Sequence, residues 1–150
     1  MRKKVKELLI LPLLLVLGWA ISYPLDPLSS YLIRPVAWIA FLMLSPFYNV
    51  VLSGNVIVGN GVAVRVIDLC TPVPEFGIVL AYILLTWKGL RDVLVAILSF
   101  IILLLFDGLK VAVMFVLLGK GYSWVIYHDL NSYVIFFLAF LSILIIREKV

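Results

Sequence analysis

Apolar runs separated by short polar breaks organise the chain. The first run, Leu8 to Ser22, follows the basic cluster Arg2, Lys3, Lys4 and Lys6. It predicts an uncleaved anchor helix, although Ala20 and Ser22 also fit a small-residue cleavage site. Tyr23 to Ser30 carries two prolines, an aspartate and two serines, and reads as a turn. A second run covers Val36 to Leu52, with Arg34-Pro35 at its entrance and Ser45-Pro46 inside it.

The texture then changes from runs to alternation. Valines stand at 56, 58, 62, 64 and 66 on either side of Gly59-Asn60-Gly61. Period two around such a turn predicts a β-hairpin. A two-stranded ribbon cannot stand in bare hydrocarbon with unpaired edges, so it belongs at the membrane interface, packed over helices. Asp68 to Glu75 follows. Thr71 is expected to cap a helix with Pro72 in its first turn, and Phe76 to Trp87 forms the third run.

Val93 to Leu118 is the fourth run, about 39 Å if fully helical. Only Asp107-Gly108-Leu109-Lys110 interrupts it. A polar loop, Gly119 to Asn131, carries Tyr122, Trp124, Tyr127 and His128 and resembles an interfacial aromatic belt. Ser132 to Ile146 is the fifth run, closed by Arg147-Glu148-Lys149.

Composition settles the solvent. The 150 residues are 65% apolar and 13% charged, against roughly 45–50% and 25% in soluble domains. A soluble domain of this size could not hide that surface. The expectation is a single all-α polytopic membrane domain over residues 1–150. It has about four transmembrane helices, one interfacial or re-entrant helix and a small extracytoplasmic β-hairpin.

The net charge of +4 does not mark a nucleic-acid binder, because no basic stripe interleaves with aromatics. Eight of the twelve basic residues fall into three groups: the N-terminal cluster, Lys88 with Arg91, and Arg147 with Lys149. The positive-inside rule puts these groups in the cytoplasm of a plasma-membrane protein. Cys70, the hairpin and His128 then lie at the extracytoplasmic face, and Val36–Leu52 begins and ends outside; the alternative is a true span with one of the basic clusters on the wrong side.

Lys110 lies about 26 Å along its helix from Val93, near the outer boundary of a hydrocarbon slab about 30 Å thick. Asp107 precedes it by one turn, on the same face. The single cysteine, the single histidine and one intramembrane cation thus fall at one level. Each has a plain structural reading: a small core filler, an interfacial ring, a snorkelling lysine paired with Asp107. Their coincidence carries the functional reading, since intramembrane ionisable groups mark function by default. A helix start would also favour the Cys70 thiolate. Glu75 and Asp68 read as cap and loop charges.

The hairpin from Gly54 to Arg65, Cys70-Thr71, the later Asp107-Gly108-Leu109-Lys110 and His128 before the last helix resemble, in that order, the exosortase/archaeosortase membrane cysteine transpeptidases. The resemblance covers about residues 50 to 146. It implies cleavage of a C-terminal sorting signal on an exported protein, with transfer to a lipid or cell-surface polymer. By position, Cys70 would be the nucleophile, His128 the proton carrier and Lys110 the stabilising cation, with Asp107 and Thr71 in support. The family carries Arg where this chain has Lys110, Asn where it has Asp107, and a small residue where it has Pro72. No metal or organic cofactor is implied. The competing readings are a non-catalytic membrane subunit or inactive member, and a small transporter component.

Overall fold

A computed structural model of the chain describes residues 2–123 and 125–150, without the side chains of residues 2–8 and Tyr127. Trp124 of the expected aromatic belt therefore lies outside the described residues. Among the described residues there are five α-helices and a small sheet: α1 (Arg2–Leu25), α2 (Ser29–Leu44), α3 (Val73–Leu85), α4 (Arg91–Gly119) and α5 (Asn131–Lys149). Strands β1 (Val50–Ser53), β2 (Val56–Gly59) and β3 (Val62–Arg65) lie between α2 and α3.

The expected turn over Tyr23–Ser30 does not reverse the chain. A single 3-10 turn, Asp26–Leu28, joins α1 to α2. The prolines explain this: Pro24 lies in the last turn of α1 and Pro27 in the 3-10 turn, where a fixed φ suits helical backbone, and no glycine offers a reversal. The second apolar run is likewise divided. Its helix starts earlier, at Ser29, and stops at Leu44, and Val50–Leu52 belongs to a strand.

Among the described residues, three helical stretches are long and apolar enough to cross a membrane: Leu9–Leu44, Arg91–Gly119 and His128–Lys149. The third apolar run gives α3 with 13 residues, about 20 Å, too short to cross a 30 Å slab by itself. So three long helices and a half-length one stand where about four spans are expected. Lys110 and Asp107 do not break α4, because both continue the helical run as buried side chains.

α1 packs on α3, α2 on α4, and α4 on α5. Gly77 of α3 meets the Gly18 carbonyl and Ser22 of α1, and Gly108 of α4 meets Ile39 of α2. Absence of a side chain at these crossings lets the backbones approach. Residues 18 and 40 both meet partners within about one turn of the Glu75–Lys110 pair.

The hairpin forms as predicted. Asn60 and Gly61 both have positive φ, 50° and 75°, which is the type I′ pattern matching strand twist. A third strand joins it: β1 pairs antiparallel with β2 through a turn at Gly54, giving the order β1-β2-β3. Leu52, Ile57 and Val64 align across the three strands. Ile57, Val64 and the following Val66 are buried against Val36, Ala37, Ala40 and Leu44 of α2 and Val111, Ala112 and Phe115 of α4. The sheet thus lies over the helices, as expected. A second core, Val79, Ile83, Val95, Leu103, Ala139 and Ile143, joins α3, α4 and α5.

Candidate functional site

Cys70 ends a second 3-10 turn, Asp68–Cys70, where its N–H donates to the Ile67 carbonyl at 2.8 Å. The turn packs on α2, and Cys70 is 6% exposed. Helix α3 opens at Val73 after Pro72, with no side-chain cap. Thr71 is therefore not the cap its sequence position suggests. Its hydroxyl donates to the Asp68 carbonyl at 2.6 Å, closing the turn that presents Cys70. The physical reason is local: a hydroxyl three residues past a carbonyl in a tight turn finds it before any helix N–H.

Lys110 sits in the middle of a charge cluster. Its Nζ lies 3.1 Å from Asp107 Oδ1 and 3.9 Å from Glu75 Oε1. Lys110 and Asp107 are buried, and Glu75 is half-buried in the first turn of α3. Cys70 belongs to the same core cluster as Val111, Ala112 and Phe115 of α4, the segment that directly follows Lys110. The predicted pairing of Asp107 with Lys110 is present, but Glu75 joins it, which the cap reading of Glu75 missed. The signal was available: an acid in the first turn of an apolar helix needs a polar partner once that helix is buried.

Two carboxylates thus face one ammonium. The second oxygen of each, Glu75 Oε2 and Asp107 Oδ2, is buried without a hydrogen-bond partner among the described residues. Groups of this kind concentrate where a protein holds a proton, a water or a reacting group.

His128 stands in a π-helical turn, Val125–Leu130, at the head of α5. Its Nδ1 is 2.8 Å from Asp129 Oδ1. One residue beyond that turn, Asn131 donates its side-chain amide to the Lys110 carbonyl at 3.0 Å. Ser132 donates to the His128 carbonyl. The structure places Cys70 in the core cluster of the α4 segment that follows Lys110, and ties the first residue of α5, next to the turn that carries His128, to the backbone of Lys110. Asp129 and Asn131 were not anticipated, and nothing in their sequence context distinguishes them from ordinary loop and helix-start residues.

At the opposite end of the bundle Arg147 joins three elements. It bonds the Asp92 carboxylate at 3.1 and 3.2 Å, donates to the Thr86 carbonyl at 2.7 Å and stacks 5.2 Å over the Tyr82 ring. Lys88, Arg91 and Arg147, placed on one side by their charge, therefore occupy one end of the molecule. No group of three or more His, Cys, Asp or Glu residues that could hold a metal ion occurs among the described residues.

The chain matches no known protein-family model, no curated protein and no solved structure.

Proposed function

We propose that the chain is a membrane-embedded cysteine transpeptidase or protease of the exosortase/archaeosortase kind. The observation that carries this reading is that Cys70 packs in the core cluster of the α4 segment following Lys110, while Asn131, just after the turn that bears His128, bonds the Lys110 carbonyl. In the first step the Cys70 thiolate attacks the scissile carbonyl carbon. The C–N bond breaks, a thioester remains on Cys70, and the leaving amine takes its proton from His128. In the second step the acceptor loses a proton to His128 and attacks the thioester, which releases the thiolate. Lys110 places positive charge beside the thiolate and the developing oxyanion. An Nδ1–H of His128 donating to Asp129 would leave Nε2 as the proton-exchanging nitrogen.

The substrate in this reading is an exported protein with a C-terminal transmembrane sorting signal. Its acceptor is a membrane lipid or surface polymer, and water as acceptor gives proteolysis. The site faces the extracytoplasmic side of the plasma membrane, with the N-terminus in the cytoplasm.

One observation favours a second reading, a non-catalytic membrane subunit. Lys110 is already held by two carboxylates, and its charge is to that extent neutralised. Processing of a co-expressed reporter bearing a sorting signal separates the two. In the enzyme reading Cys70→Ala abolishes cleavage, His128→Ala slows it by about 10²–10⁴-fold, and Lys110→Arg retains it. Unchanged cleavage in membranes carrying Cys70→Ala overturns the assignment.

A further inference from the structure

Arg34 is exposed on α2, inside the apolar stretch Leu9–Leu44. It has no ion pair or hydrogen bond among the described residues. Asp26, the other charged residue of that stretch, lies about 12 Å away along the helix direction and does not pair with it. An arginine in an apolar run without an internal partner needs an anion or water at its own depth. Beside it lies a cavity of about 650 Å³ lined by Arg34, Pro35, Trp38, Leu52 and Gly54. Apart from the guanidinium and the Trp38 indole N–H, that lining is carbon and backbone. Gly54 adds no side chain, and open space surrounds the position a Cβ would take there.

The cavity runs between the outer flank of α2 and the free edge strand β1. Arg34 and Trp38 are one turn apart on the same helix face, while Val36, Ala37 and Ala40 face inward to the core that holds Cys70. A cation at one point of an apolar trough, with a tryptophan one turn further on, matches a phosphate head joined to a hydrocarbon tail.

We propose that this cavity binds one anionic phospholipid, its headgroup phosphate on Arg34 and the start of an acyl chain along Trp38, Pro35 and Leu52. The site stands apart from the chemistry at Cys70 and does not depend on it. Guanidinium recognises phosphate by paired N–H donors. The apolar walls select an amphiphile over a free anion, and the scarcity of polar lining groups disfavours a peptide, whose backbone needs hydrogen-bond partners.

Native mass spectrometry of the full chain in detergent tests this, with phosphatidylglycerol and phosphatidylcholine of identical acyl chains as probes. The expected result is one retained phosphatidylglycerol, held at about tenfold lower lipid concentration than phosphatidylcholine. Arg34→Gln removes that preference, Arg34→Lys keeps part of it, and Trp38→Ala weakens both lipids. Arg91→Gln, at the opposite end of α4, leaves the preference intact. Equal retention of the two lipids by the unaltered chain overturns the proposal. So does a preference that survives Arg34→Gln, or displacement of the lipid by millimolar inorganic phosphate or by a short acidic peptide.

Discussion

Lys110 is held by opposite charges on two helices, Asp107 one turn earlier on α4 and Glu75 across on α3. Taking charges out of water is costly, and removing one partner leaves the others uncompensated. Lys110→Met therefore exposes Asp107 and Glu75 to each other without their cation. It should destabilise the folded chain by about 3–5 kcal/mol, read from denaturant unfolding in detergent. Neutralising the acids at the same time, as Glu75→Gln and Asp107→Asn, should recover much of the loss, because the three groups act as one network. If Lys110→Met unfolds like the unaltered chain, the cluster does not hold α3 to α4. Lys110→Arg keeps the charge and should fold normally.

At the scale of elements, glycines set how closely helices approach. A side chain at Gly77 would press on the Gly18 carbonyl and on Ser22, whose Cβ is 2.9 Å from the position a Cβ would take. Gly77→Val should push α1 away from α3, costing about 1–3 kcal/mol as an overpacked contact and lowering the melting temperature. The hairpin has a different vulnerability. Gly61 holds φ of +75° in the I′ turn, and a β-branched residue there is strained by about 1–2 kcal/mol. Gly61→Val should loosen β2 and β3, seen as faster amide exchange there, while the Arg147 end stays protected. The sheet was half legible in advance. Alternation around Asn60-Gly61 marks β2 and β3, but β1 is three apolar residues and a serine at the end of an apolar run, too short to show a period of its own. Only its pairing with β2 separates it from a helix.

For the whole molecule, the two ends differ in how they are held. One end is latched by Arg147, which bridges Thr86 after α3 and Asp92 in α4. Arg147→Ala leaves a buried Asp92 carboxylate without its cation and should lower thermal stability more than Lys149→Ala, an exposed neighbour. Melting curves of the two variants in the same detergent check this. The other end carries the sheet, Cys70 and the head of α5. On a Cys70→Ala background, cysteines at Val58, 45% exposed on the outer sheet face, and at Glu148 should label from opposite sides of sealed vesicles. Labelling of both from one side would contradict the proposed membrane orientation.

The sequence by itself determined the apolar character and the long elements, since hydropathy and length are properties of contiguous residues. Runs became α4 and α5 nearly as written, and Asn60-Gly61 became a I′ turn because left-handed backbone is a local demand. It also singled out Cys70, Lys110, Asp107 and His128, because polar side chains are conspicuous in an apolar chain. Tertiary structure decided what a run cannot encode. Glu75 turned out to share Lys110, and Asn131 to tie α5 to the Lys110 backbone. Those outcomes depend on which helix crosses which at a glycine, and on partners more than twenty residues apart. Burial then forces each charge to find the nearest opposite one, a choice made in three dimensions.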